Sequence, residues 1–344
     1  FMKYDKIDSL LKLITSKARK KRKKTCFLIG TTTKKISQSF YLTPYRESQK
    51  TLYMGAIVYS NKIAQDIAKR IDGHVNYVFV DIEKKISNKM DILTNIERSA
   101  KKIITKSIIK NYKPNDITVN SIENFIQDYF RKDLRGVGGK KILVVGTGNI
   151  GSKIALRLLE SGGSVYLIRN NIRKLKIINN ALNIIKPIYT KAKSRIVFKD
   201  DLKIDNYDII IGCADKEVKF RKIDDFKKQP LIIDVGKGMF SKKNITQLSN
   251  KKVPVFRLDV ENSLSSFIDS NISTEDFFRS DFIKNHGKFR LIKKGILGNN
   301  GDIIVDNVET PNRIIGVCGN EGLLKNLTIK KYNLLKSKIL KNEK

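Results

Sequence analysis

The run Gly146-Thr147-Gly148-Asn149-Ile150-Gly151 satisfies G-x-G-x-x-G in full. Those residue types at that spacing suit one task above others, which is holding a diphosphate on backbone N–H groups. Gly146 permits a tight turn, Gly148 removes the Cβ that would keep a phosphate away, and Gly151 lets the next helix lie close to the preceding strand. The helix N-terminus adds partial positive charge and unpaired donors. The context needed is present on both sides. An apolar run at 142–145 leads in, and Ile154, Ala155, Leu158 and Leu159 follow at helical spacing. Gly162-Gly163 then ends the helix, and 165–168 reads as a second strand. Strand, glycine turn, helix and strand form the opening unit of a dinucleotide-binding domain.

The tip of the second strand bears on which dinucleotide. An Asp or Glu there would accept a hydrogen bond from a ribose 2′-OH and repel a 2′-phosphate. The chain instead places Arg169-Asn170-Asn171-Ile172-Arg173-Lys174 there, and a guanidinium grips a phosphate with two charge-assisted hydrogen bonds. The expected cofactor is therefore NADP(H), with NAD(H) the alternative. Further along, Gly212-Cys213-Ala214-Asp215 and Asp234-Val235-Gly236-Lys237-Gly238 follow two more apolar strands. The carboxyl ends of parallel strands share one crevice, so Cys213 and Ala214 join Gly146–Gly151, Arg169, Asn170 and Arg173 as expected cofactor contacts.

Hydride transfer needs a group that gives or takes a proton at the reacting carbonyl or imine. Lys237, flanked by two glycines just after a strand, is the catalytic candidate. Asp234 is expected to hold that loop through backbone N–H groups. Cys213 has no histidine at hand to activate it and reads as a small packing residue. Ser37 and Ser39, with Tyr41 and Arg46 close by, could form an anion-binding lip for the substrate. His74 and His286 each adjoin a glycine in a turn and read as surface residues.

The elements that position these groups follow an α/β rhythm. Strands are expected at 25–29, 56–59 and 77–80, with a helix at 62–71, a long amphipathic helix at 92–109 and another at 121–130 capped by Ser121. The glycine-rich 135–139 joins this first domain to the dinucleotide domain. Strands then recur at 195–198, 207–212, 231–236 and 253–258, the pattern of a doubly wound parallel sheet. Gly298-Asn299-Asn300-Gly301-Asp302 is a turn between two apolar runs, read as a β-hairpin or meander before a C-terminal helix. The expected domains are 1–136 (substrate), 137–284 (dinucleotide) and 285–344 (hairpin and helix).

Composition narrows the classes. Among 344 residues, 40% hydrophobic content fits a globular protein, and the three cysteines, Cys26, Cys213 and Cys318, lack metal-ligand spacing. With two histidines in the chain, no metal site is expected. No apolar run is long enough to span a bilayer, and neither a signal peptide nor a membrane partner is expected. A reducing cytoplasm is the simplest compartment. The net charge of +35 raises the possibility of nucleic acid. Yet lysine is spread along the whole chain together with Ile and Asn, as A/T-biased codons would produce. Aromatics do not alternate with the basic runs as a stacking platform requires. The densest run, 17–24, reads as the basic end of an exposed helix. No nucleic-acid partner is expected; a homodimer is left open.

An α/β domain followed by a G-x-G-x-x-G domain resembles the shikimate/quinate dehydrogenase-like group and its relatives with an amino-acid-dehydrogenase-like first domain. The likeness is carried by 139–169, by Gly212-Cys213-Ala214-Asp215 and by 232–238. In the first domain, Leu28-Ile29-Gly30 followed by Ile36-Ser37-Gln38-Ser39 matches the group's serine pair loosely. Asn120-Ser121-Ile122 lacks the aspartate of the corresponding motif. The resemblance implies an NADP-using oxidoreductase, a divergent member acting on a different small anionic substrate held between two domains. Two other classes stay open: a regulatory protein that keeps the cofactor fold without chemistry, and an enzyme that uses tightly bound nicotinamide for a net non-redox reaction.

Overall fold

The computed structural model describes residues 2–31, 40–83, 96–198, 206–214, 229–236 and 238–340. The chain divides into two compact units, Phe1–Ile268 and Asp269–Lys344. The first unit is mixed α/β, built on two largely or wholly parallel sheets, as the sequence rhythm predicts.

The first sheet comprises β1 (Lys24–Thr31), β2 (Phe40–Leu42), β3 (Arg46–Glu47), β4 (Thr51–Val58), β5 (Tyr77–Asp81) and β6 (Ile108–Tyr112). Its order is β2-β4-β1-β5-β6, with β3 also on β4; β4, β1, β5 and β6 run parallel, and β2 and β3 antiparallel to β4. Successive residues of a strand face opposite ways. Phe27, Ile29, Val78 and Val80 therefore share one core with Ile7, Leu11 and Ile14 of α1 (Met2–Lys21) and with Ile67 and Ile71 of α2 (Asn61–Ile71). The other face, which carries Leu28 and Tyr53, remains for later elements to cover.

Residues 92–109 do not form the single helix expected. Within the described part, α3 is confined to Ile96–Lys101, and Ile108–Tyr112 is a strand. The cause is local. Asp72 accepts backbone N–H groups from Thr105, Lys106 and Ser107 at 2.9–3.0 Å, which fixes a turn, and the β-branched pair Ile108-Ile109 then enters the ladder beside Tyr77 and Val78. Ser121 is not a cap either. The helix α4 (Pro114–Tyr129) begins seven residues earlier with Pro114 in its first turn, and buried Ser121 donates its hydroxyl to Ile117 O.

The second sheet holds β7 (Lys141–Val145), β8 (Ser164–Ile168), β9 (Ser194–Ile196), β10 (Ile209–Gly212), β11 (Leu231–Asp234) and β12 (Val255–Phe256), with α5 (Asn149–Glu160), α6 (Ile172–Ile185), α7 (Lys242–Asn250) and α8 (Glu261–Arg279) among them. Its order is β12-β11-β10-β7-β8-β9, all parallel. Numbered within this sheet that is 3-2-1-4-5-6, the Rossmann order. Both faces are buried, as an all-parallel sheet requires. Val144, Leu167, Ile211 and Ile233 pack with Ile154 and Leu158, while Leu143, Val145, Ile210 and Ile232 pack with Met239 and Leu248. Val119, Ile122 and Ile126 of α4 belong to the first of these cores, so α4 lies against the second sheet's helix α5.

The second unit carries β13 (Ile283–His286), β14 (Phe289–Lys293), β15 (Ile303–Val305), β16 (Ile314–Cys318) and β17 (Leu324–Lys325) in chain order, with α9 (Ile329–Ile339) packed on them through Leu335 and Ile339. A β-hairpin is present, but its turn is at Gly287 (φ +58°), between β13 and β14. The 298–302 turn instead lies between β14 and β15, which pair parallel. Asp302 is buried, accepts the Asn299 N–H and donates its own N–H to Asn299 O, which closes a tight turn within that connection. No helix among the described residues is long and apolar enough to cross a membrane.

Candidate functional site

The strand order of the second sheet reverses between β7 and β10, and a crevice opens beyond their carboxyl ends at such a point. Three segments converge there. Gly146 sits at φ +91°, in the left-handed region that favours glycine, and donates its N–H to Ile168 O. A Cβ on it would lie 2.9 Å from Ala214 N. Cys213 N donates to Val145 O at 2.7 Å, and Val235 N and Gly236 N both donate to Gly212 O at 2.9 Å. The structure thus brings Gly146–Gly151, Cys213, Ala214 and the end of β11 together.

The three motif glycines do different work. A Cβ on Gly151 would stand 2.0 Å from Gly146 O, so only glycine lets α5 start this close to β7. Gly148 is the N-cap of α5, with φ −82° and ψ −159°; its Cβ position meets nothing within 4 Å. No side chain caps α5 and no acidic residue occupies its first turn. Among the described residues its positive end has no side-chain cap, and it is reached across an open glycine.

Two buried polar atoms at this crevice have no hydrogen-bond partner among the described residues: Thr147 Oγ1 and Asp234 Oδ1. Thr147 is 1% exposed, which makes the orphaned hydroxyl costly. Asp234 does not tie down its loop as expected, because the neighbouring N–H groups go to Gly212 O instead. Arg169 donates Nη1 to Thr147 O at 2.5 Å, so its guanidinium reaches back onto the glycine turn. Asn170 and Arg173 are exposed beside it. Asn171, for which the sequence analysis gives no role, is the N-cap of α6 and accepts from Lys174 N. An Asn just before a helical run was the available signal.

Burial pushes the Cys213 thiol up to about 12, and the charge of Asp234 adds to the shift. The thiol stays protonated at neutral pH and is no nucleophile. Lys237, Asp215, Ser37 and Ser39 lie outside the described residues. His74 and His286 are exposed. Among the described residues no group of three or more His, Cys, Asp or Glu could hold a metal.

A second concavity lies on the Leu28 face of the first sheet, a cavity of about 340 Å3 under the starts of α4 and α8. Leu28, Ala56, Ile117, Val260 and Leu264 make its walls apolar, and Arg46, Tyr53 and Tyr112 bring polar groups to it. Burial raises the Tyr112 phenol well above its ordinary value, and the nearby Asp81 and Glu83 carboxylates raise it further, so it is a neutral donor. Arg46 faces Asp259 at 3.5 Å and Glu261 at 3.6 Å. Neither tyrosine stands in a motif, which is why sequence reasoning passed over both. The helix lining this cavity is tied to the glycine-loop helix: Asp116 pairs with Lys153, and Arg157 donates to Glu123 and Asn120 at 2.6 Å. A wider groove of about 860 Å3 between α1 and the end of α2 is open and basic, with Lys12, Arg19, Lys20 and Lys69 along it.

No family model matches the chain, and no curated protein matches it. Solved structures similar to it include L-tryptophan dehydrogenase from Nostoc punctiforme, at 13% identity over 59% of this chain and 57% of that one, TM-score 0.37. Dipicolinate synthase A chain from Bacillus subtilis is similar at 14% identity over 74% of this chain and 97% of that one, TM-score 0.35. Shikimate 5-dehydrogenase from Listeria monocytogenes, solved with shikimate and NAD, is similar at 12% identity over 69% of this chain and 86% of that one, TM-score 0.36. The chain spans little more than half of the tryptophan dehydrogenase. Likeness this slight does not establish membership of the shikimate/quinate group or of any other.

Proposed function

We propose that the chain is an oxidoreductase that binds NADP(H) across Gly146–Gly151 and moves hydride to or from a small carboxylate-bearing metabolite. In this reading 137–284 is the dinucleotide domain, 1–136 the substrate domain and 285–344 an appended module. The observation that carries it is the uncapped N-terminus of α5, opened by Gly148 and flanked by the partnerless Thr147 hydroxyl. Those donors suit a diphosphate. Nicotinamide, when bound, would supply the hydride. The chain's own residues do the rest. Backbone N–H groups of residues 149–151 and the Thr147 hydroxyl hold the diphosphate. Arg169 braces the turn through Thr147 O and turns its remaining N–H groups toward a 2′-phosphate. Lys237, three residues beyond β11 in the sequence, is the proposed proton carrier.

The test is a calorimetric titration with NADP(H) and NAD(H) of the unmodified chain, Gly148→Val and Arg169→Asp. The expected result is NADP(H) binding that Gly148→Val abolishes and that Arg169→Asp shifts toward NAD(H). If the unmodified chain binds neither dinucleotide, the oxidoreductase reading is wrong.

A further inference from the structure

The charges at the mouth of the 340 Å3 cavity do not suit a bare anion. Among the described residues Arg46 is the cation there, but Asp259 and Glu261 stand 3.5 and 3.6 Å from its nitrogens, so the formal sum of these three is −1. A ligand carrying only a carboxylate would bring that to −2 beside a part-buried Arg46 and two exposed carboxylates, which disfavours it. Both contacts exceed the roughly 2.7–2.9 Å of a charge-assisted hydrogen bond, so the guanidinium is held closely by neither carboxylate. Asp259 Oδ1 accepts the Glu261 N–H at 3.0 Å, which leaves its other oxygen and the Glu261 carboxylate for a cation. Tyr53 places the same trio beside the cavity wall: burial is the largest cause raising its hydroxyl, its hydrogen bond to Ser265 opposes that, and Glu261, Arg46 and Asp259 all act on it. Behind the mouth the walls are apolar, and a cavity of this size suits a small molecule.

We propose that this cavity binds a zwitterion with an apolar body, of which an apolar α-amino acid is the simplest: carboxylate on Arg46, ammonium between Asp259 and Glu261, side chain against Leu28, Ala56, Ile117 and Leu264. Such a ligand adds no net charge and gives each mouth group a partner of opposite sign. The carboxylate replaces one loose contact of Arg46 with a close one, and the ammonium takes up the released carboxylates. The neutral Tyr112 phenol, which Gly30 makes room for because a Cβ there would lie 2.8 Å from its oxygen, is left to donate. That this ligand is also the substrate rests on the oxidoreductase reading; that it binds here does not.

The experiment is calorimetry without nucleotide on the full chain, using L-phenylalanine and L-leucine as zwitterions, 3-phenylpropionate as the carboxylate alone and 2-phenylethylamine as the ammonium alone. At least one amino acid is expected to bind at least about tenfold more tightly than either half-ligand. Arg46→Met is expected to remove amino-acid binding. Glu261→Gln is expected to weaken the amino acid about tenfold and to tighten 3-phenylpropionate, a reversal of sign that general damage to the site cannot produce. The proposal is overturned if neither amino acid binds, if 3-phenylpropionate binds better than both, or if Glu261→Gln moves both ligand types in the same direction. Dinucleotide titration of the same sample reports separately on the glycine loop, so failure at one site is distinguishable from failure at the other.

Discussion

Gly148→Asp separates what the glycine loop does for folding from what it does for binding. Gly148 already has the extended backbone of an N-cap, its Cβ position is clear to 4 Å, and α5 has no capping side chain. Aspartate there would accept an N–H of the first turn. That improves on glycine by a few tenths of a kcal/mol, and its charge at the helix N-terminus contributes about 0.3–1 kcal/mol more. The free chain should gain about 0.5–1.5 kcal/mol, or roughly 1–5 °C in Tm for a domain of this size. The same carboxylate would stand where a diphosphate must lie. At about 4 Å and an effective dielectric of 20, each charge pair costs about 4 kcal/mol, close to 1,000-fold in Kd. Scanning calorimetry of the free chain and titration with NADP(H) read the two effects. A lower Tm, or dinucleotide affinity within tenfold of the unmodified chain, would refute the assignment of Gly148 as the open cap of a phosphate site.

Gly151→Ala should behave oppositely. Its Cβ meets backbone oxygen at 2.0 Å, so the loss should exceed about 3 kcal/mol and show as a large fall in Tm or in soluble yield. Thr147→Val removes a buried hydroxyl that has no partner among the described residues, so the free chain should gain about 1 kcal/mol by thermal unfolding while NADP(H) affinity falls. With burial holding the Cys213 thiol at about 12, about one molecule in 10,000 is thiolate there at pH 8. Cys213 is half-buried with its thiol held protonated, and Cys26 and Cys318 are buried, so a thiol reagent should label the native chain far more slowly than the unfolded one. Burial tends to raise the Asp72 carboxyl, but N–H donors from Thr105, Ser107 and Lys106 outweigh it and hold the group at about 2. Because the folded value lies below the unfolded one, its contribution is present above about pH 4 and lost as pH falls toward 2. The destabilisation caused by Asp72→Ala should therefore shrink across that window in acid-titrated melts.

The parts of this fold that were legible are those where one local rule suffices. The run from β7 through α5 to β8 was readable because glycine positions, apolar periodicity and turn residues all agreed. A doubly wound parallel sheet followed once further apolar strands recurred, although its strand order did not. The misreadings came where a distant residue decided the local structure. Asp72 reaches 33 to 35 positions along to fix the 105–107 turn, and no window centred on 92–109 contains it. Ser121 matched a cap by type, but Pro114 had already begun the helix. The cavity was harder still, because Arg46, Tyr53, Tyr112 and Glu261 come from four elements and only the sheet order makes them neighbours.

The helix α4 has two employments. Its Val119, Ile122 and Ile126 sit in the second sheet's core, and its first turn, with Pro114, Ile117 and Thr118, forms part of the cavity wall. Asp116 in that same turn is paired with Lys153, one turn into the helix that begins at the glycine loop. A displacement of α5 would have a direct route to the cavity wall, through this ion pair and the body of α4. Thermodynamic linkage makes such a connection symmetrical: whatever factor a dinucleotide applies to the affinity of the cavity, a ligand in the cavity must apply to the dinucleotide. Lys153→Ala, which leaves both sites chemically intact, is the place to look for that shared factor drifting toward one.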